Sequence, residues 1–207
     1  MEYIAASTTI PVPRVRELFQ DSRGFVNIVM DYVDGKELEA IWDGLQSADR
    51  LAILHQLRDY IDQLRRLPPP RPGAVEAVDG SECRDPRLGS APFGPFRTIA
   101  NFQTFLGRDC ALLRSTSQSH RTVFTHGDLA PRNVLVKGTR IVAIVDWETS
   151  GWYPEYWEYT QAFFSNFVYP DAHNGSVWDY LEREAFSEKY PDELVSEKCL
   201  ASYLVRC

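Results

Sequence analysis

Apolar and polar positions along the opening of the chain predict a helix end followed by two short strands. Met1 to Ala6 reads as the last turns of a helix, closed by the polar run Ser7-Thr8-Thr9 and by Pro11 and Pro13. Val12 to Phe19 and Phe25 to Val33 are strand candidates, separated by the turn-rich Asp21-Ser22-Arg23-Gly24. Gly35 to Gln46 reads as a short helix. Leu51, Leu54, Leu57, Ile61 and Leu64 then recur at helical spacing behind Ser47, a candidate cap, which predicts a core helix. Pro68 to Gly73 ends it abruptly and opens an irregular stretch to about Arg97. Long loops in compact domains often carry function. Arg84-Asp85-Pro86-Arg87 reads first as packed surface loop and second as a ligand contact.

Thr98 is positioned to cap a helix bearing Ile99, Phe102, Phe105, Leu106 and Leu112. Arg121 to Thr125 is a short strand. Val134-Leu135-Val136 and Arg140 to Val145 flank the turn Lys137-Gly138-Thr139, which predicts a hairpin. The aromatic run Trp152, Tyr153, Tyr156, Trp157 and Tyr159 leads into helices through Phe167, around Val177 to Tyr190, and from about Asp192 to Val205. These aromatics read as core packing, with Trp152 and Tyr153 the pair best suited to line a ligand pocket.

Composition narrows the class. A chain of 207 residues with 44% hydrophobic and 13% aromatic residues has material for a substantial core and is not a disordered sequence. The net charge of −7 argues against a nucleic-acid partner, which favours a basic face. Cys83, Cys110, Cys199 and Cys207 show neither metal-ligand nor paired spacing, so free thiols in a reducing compartment are expected. No stretch resembles a signal segment or reaches membrane-spanning length. The expectation is a soluble cytoplasmic protein without a membrane partner.

The candidate chemistry lies in Thr125-His126-Gly127-Asp128-Leu129-Ala130-Pro131-Arg132-Asn133, followed by Ile144-Val145-Asp146. Phosphoryl transfer asks a protein chiefly to position reactants and neutralise charge. An Asp followed five positions later by Asn matches the spacing of a kinase catalytic loop. Asp128 is the candidate base for an acceptor hydroxyl. Asn133 and Asp146 offer the hard oxygen ligands that Mg²⁺ prefers, with ATP phosphates completing the shell. The predicted hairpin would return Asp146 to the neighbourhood of Asn133.

His126-Gly127-Asp128-Leu129-Ala130-Pro131-Arg132-Asn133 and Ile144-Val145-Asp146-Trp147-Glu148 resemble the signature of the aminoglycoside phosphotransferase or choline kinase-like family. Thr9 to Val15, Met30 to Gly35 and Gly151 to Tyr159 resemble its fungal branch, so the likeness runs through nearly the whole chain. The resemblance implies an α+β, protein-kinase-like fold with a mostly helical large lobe and a small β lobe. It implies a bound ATP and Mg²⁺ and γ-phosphate transfer to a hydroxyl of a small molecule whose identity it does not fix. His126 is then expected to organise the catalytic loop through its backbone, beside Asp128 and Asn133. Met30 to Gly35 becomes the hinge between lobes, with the adenine edge near Asp31, Tyr32 and Val33. Glu148 and Glu155 are secondary candidates for substrate contact.

Kinases of this type also use a glycine-rich loop and a strand lysine over the phosphates. Upstream of the hinge the sequence has a single glycine, Gly24, and its first lysine is Lys36. The resemblance therefore implies an amino-terminally truncated small lobe. Residues 1–34 are expected to be its remnant with the hinge, and 35–207 the helical large lobe carrying the catalytic loop and metal-binding hairpin. The alternative is a catalytically impaired pseudokinase or small-molecule-binding module, or a fragment of a longer kinase-like gene product.

Overall fold

A computed structural model of the chain describes residues 1–107, 120–168, 177 and 180–204, with side chains described through 163 and from 180 to 197 in the last two helices. Helix α1 (Glu2–Ser7) seats Ile4 in the main core. Strands β1 (Val15–Gln20) and β2 (Val26–Met30) follow as an antiparallel pair with Leu18 opposite Ile28 and Gln20 opposite Val26. The Asp21 carboxylate closes their turn by accepting from the Arg23 and Phe25 amides at 2.9 and 3.0 Å. Strand β1 starts at Val15 rather than Val12, since Pro13 lacks the N–H needed to extend the ladder, and β2 ends at Met30 rather than Val33. Most of their large apolar side chains are exposed, among them Leu18, Phe19, Val26 and Ile28.

The helix expected from Gly35 to Gln46 is a correction. The chain instead forms β3 (Lys36–Glu37), one helical turn α2 (Leu38–Ile41) and a 3-10 turn Trp42–Gly44. Lys36 and Glu37 are drawn into a ladder opposite Val136 and Leu135, while Leu38 and Trp42 enter the core. Helix α3 (Ser47–Arg66) forms as its period dictates and buries Ile53, Leu54, Leu57, Ile61 and Leu64. Each such aliphatic contributes roughly 1.5–3 kcal/mol on burial. Ser47 is its first helical residue rather than its cap; Gln46 precedes the helix and makes no capping bond.

The irregular stretch is tied down. It contributes strand β4 (Glu76–Ala77), bridges from Val75 to Phe96 and from Cys83 to Phe93, and a 3-10 turn Pro86–Leu88. The buried Arg87 guanidinium meets Asp85 at 2.7 Å and Glu197 at 2.6 Å and lies 4.1 Å over the Trp157 ring. Arg87 and Asp85 therefore form a packing clamp, which is the first of the two readings of this loop. Helix α4 (Ile99–Leu106) begins at Thr98, whose hydroxyl accepts from the Asn101 amide. The expected continuation to Leu112 lies outside the described residues.

The remaining elements are β5 (Thr122–Thr125), β6 (Val134–Lys137), β7 (Arg140–Ile144), β8 (Gly151–Pro154), helix α5 (Trp157–Val168), a π-helical turn Leu181–Ala185 and helix α6 (Pro191–Leu204). The expected helix around Val177 to Tyr190 falls partly outside the described residues, as does Val205. Two three-stranded antiparallel sheets result, ordered β3-β6-β7 and β4-β8-β5. Strand β8 is unanticipated: it buries both Trp152 and Tyr153, so neither lines an open pocket. One apolar core joins α1, α3, the β6-β7 hairpin and α5; a second gathers Val75, Phe93, Phe102, Tyr153 and Trp157 around α4. The fold is thus α+β and kinase-like, and no helix among the described residues is long and apolar enough to cross a membrane.

Candidate active site

The β5 strand delivers the chain into the 126–133 loop, and the β6-β7 hairpin carries it back to Asp146. Every residue of β5 is buried, and the strand is paired along its length with β8. Gly127 then adopts φ +82°, and a Cβ there would stand 2.6 Å from the Thr149 carbonyl oxygen. Only glycine fits this close crossing of two loops.

His126 is wholly buried and knits the site from inside. Its Nε2 donates to the Val145 carbonyl at 2.9 Å, and its Nδ1 accepts from the Asp128 amide at 3.2 Å. That pairing suits a neutral ring with the proton on Nε2, and burial holds the imidazole down at about 4. The Trp147 ring packs 4.4 Å from it, its indole N–H donating to the Ile144 carbonyl.

Helix α5 grips the same loop from the other side. The buried Glu158 carboxylate accepts from the backbone amides of His126 and Gly127. Desolvation pushes its pKa up to about 7 against the opposing pull of those donors. One turn later, Gln161 Nε2 donates to Asp128 Oδ1 at 2.9 Å. Sequence reading missed both residues. The available signal was an acidic residue inside an otherwise aromatic, core-forming run.

Asp128 lies where three donors converge. Its Oδ2 accepts from Arg132 at 2.5 Å and from Asn133 Nδ2 at 2.9 Å, while Oδ1 takes the Gln161 bond and no other among the described residues. Asn133 Nδ2 also donates to the Asp128 carbonyl at 2.8 Å, which commits its amide nitrogen to the loop and leaves its Oδ1 for a cation. The Val145 amide donates to the Asn133 carbonyl at 3.0 Å, so Asn133 and Asp146 are neighbours through the hairpin. Asp146 has φ +66°, the one non-glycine residue with positive φ among the described residues. That left-handed kink is costly for a non-glycine residue and typical of functional sites. No cluster of three or more His, Cys, Asp or Glu suited to a metal occurs among the described residues. One carboxylate and one amide oxygen nevertheless fit Mg²⁺, which takes few protein ligands when phosphates and water supply the rest.

The Asp31 to Val33 segment makes no hydrogen bond to these groups among the described residues; the two residues that follow it reach the same hairpin. Asp34 pairs with Lys137 at 2.7 Å, and a Cβ on Gly35 would press 2.7 Å against Val142. Asp31 is engaged with Arg16, which lowers its pKa, and Tyr32 is 90% exposed. Of the secondary candidates, Glu155 is taken up by Arg121 at 2.7 Å and by the Arg65 guanidinium. Glu148 is exposed.

A family model described as a phosphotransferase enzyme family matches residues 1–190. No curated protein matches the sequence. Among solved structures, aminoglycoside phosphotransferase APH(4)-Ia aligns with a TM-score of 0.60 at 17% identity, covering 97% of this chain and 68% of that one. The GDP complex of aminoglycoside 2'-phosphotransferase-IIIa aligns at 0.60 and 13% identity, over 99% and 71% of the two chains. APH(3'')-Id from Streptomyces rimosus gives 0.55 at 15% identity, over 96% and 76%. At such identities the likeness is one of fold.

Proposed function

Since this chain belongs to the phosphotransferase enzyme family, we propose that it transfers the γ-phosphate of ATP to a hydroxyl group of a small molecule. The observation that carries the reading is the convergence at Asp128: one carboxylate oxygen is held by Arg132 and Asn133, and the other keeps a lone pair beyond its bond to Gln161. An acceptor hydroxyl donating to Oδ1 would be oriented for in-line attack. Its oxygen forms the new bond to the γ-phosphorus as the bond to the β,γ-bridging oxygen breaks, ADP departs, and the hydroxyl proton passes to Asp128 Oδ1. Asn133 Oδ1 and the Asp146 carboxylate would hold Mg²⁺, which supplies positive charge against the phosphates when bound. His126 and Glu158 keep the loop in register, and the backbone of Asp31 to Val33 would meet the adenine edge. Solved relatives include a ternary complex of APH(4)-Ia with ADP and hygromycin B and a complex of APH(2")-IIIa with GDP and kanamycin. Nucleotide plus hydroxyl-rich acceptor is therefore the substrate class to test here.

The test is ADP release from ATP and Mg²⁺ against a panel of aminoglycosides, amino alcohols and sugars, with nucleotide-dependent thermal stabilisation in parallel. Asp128→Ala should lower turnover by about 10²–10⁴-fold, the usual worth of a general base, while nucleotide still stabilises the fold. Asp146→Ala should weaken Mg²⁺-nucleotide binding and turnover together. Full activity in Asp128→Ala would sink the assignment of the base. A protein that neither binds nucleotide nor phosphorylates any member of the panel would overturn the reading as a whole.

A further inference from the structure

We propose that Gln161 is a positioning residue that fixes the carboxylate plane of Asp128 for attack by the acceptor; the inference rests on the reading of Asp128 as the base. Gln161 is 8% exposed on α5, and its Nε2 supplies the one protein donor to Asp128 Oδ1 among the described residues. Arg132 and Asn133 both bind Oδ2, and a carboxylate held at one oxygen turns easily about its broad terminal torsion. The Gln161 bond at Oδ1 removes that freedom and leaves Oδ1 a lone pair in a set direction.

The amide's other end favours a positioning role over a stabilising one. Gln161 Oε1 is buried without a hydrogen-bond partner among the described residues. An orphaned buried carbonyl is destabilising, and an apolar side chain of similar length would avoid it. The bond to Asp128 also fixes the amide's orientation, since turning it over would set Oε1 against the Asp128 carboxylate and bring no gain. The same helix holds the loop backbone through Glu158, so α5 positions both the loop and its functional oxygen. The groups facing Asp128 are then Arg132 and Asn133 from its own loop, His126 below it, and Glu158 and Gln161 from α5.

Gln161→Met keeps volume and removes the donor. ADP release with ATP and Mg²⁺, measured with water as the acceptor, gives a readout that does not depend on identifying the organic substrate. The expected result is a fall in kcat of about 10–100-fold, the scale of a small misplacement of a reacting group, with KM for ATP unchanged and the melting temperature unchanged or higher. In an Asp128→Asn background the same substitution should cost nothing further, because the oxygen it positions is no longer a base. Unchanged kcat in Gln161→Met, or a loss of kcat that tracks a fall in melting temperature, overturns the inference. An equal fold-loss in both backgrounds overturns it too. Full activity in Asp128→Asn alone is the separate result that would instead defeat the assignment of the base.

Discussion

Glu158 carries a prediction whose size follows from its surroundings. Its carboxyl is fully buried and pushed up to about 7, mainly by desolvation, whereas in the unfolded chain it titrates near the ordinary value of 4.5. Between those values the folded protein retains a proton that the unfolded chain has released. Stability should therefore fall as pH rises through this window. Raising the pH from about 5 to about 7.5 removes roughly 2 kcal/mol through this one group. His126, held down at about 4, acts in the opposite direction, and Glu197, pushed up to about 7 by burial, acts in the same direction. Both are common to the wild type and to Glu158→Gln, so the difference between the two proteins isolates Glu158. Urea unfolding at the two pH values should show the variant losing about 2 kcal/mol less than the wild type on the same pH rise. Identical pH dependence in the two proteins would mean that Glu158 stays ionised throughout, with the His126 and Gly127 amides outweighing its desolvation.

Gly127→Ala should destabilise the fold by about 2 kcal/mol or more and abolish turnover, since the left-handed backbone alone costs roughly 1–2 kcal/mol and the new Cβ meets the Thr149 carbonyl; chemical denaturation and ADP release check both effects. Arg87→Ala leaves the Asp85 and Glu197 carboxylates buried without their cation and should cost about 3–5 kcal/mol, read from urea midpoints. With Arg87 gone, the stability of that variant should improve on acidification, because protonating the buried Glu197 carboxyl, which desolvation already pushes up, relieves it.

Legibility in the sequence followed periodicity. Helix α3 and the β6-β7 hairpin repeat a pattern over enough residues to be read, and the hairpin explains how Asn133 and Asp146 become neighbours. Strands β3 and β8 do not. Two residues cannot display an alternation, and Gly151 to Pro154 is buried on both faces, so no polar positions mark its period. The Thr98 cap is local chemistry and was legible, whereas Ser47 has the right side chain one position too late. Glu158 and Gln161 were hidden for a different reason. Their partners are more than thirty positions upstream, and only the docking of α5 against the loop gives them a role. Recognition of an adenine edge at Asp31 to Val33 would use backbone groups, which leave no side-chain signature.

The β1-β2 hairpin has a consequence for how unfolding of this protein is measured. It pairs with no third strand among the described residues, and its apolar side chains are largely in solvent, so its local opening free energy is expected well below that of the core. None of the five tryptophans falls within it: Trp42, Trp147, Trp152 and Trp157 are buried in the described core, and Trp178 lies far along the chain. The four described tryptophans therefore report on the core, while amide exchange in Val15 to Met30 reports on the hairpin directly. The two probes should give different transition curves, and a single midpoint would not describe both.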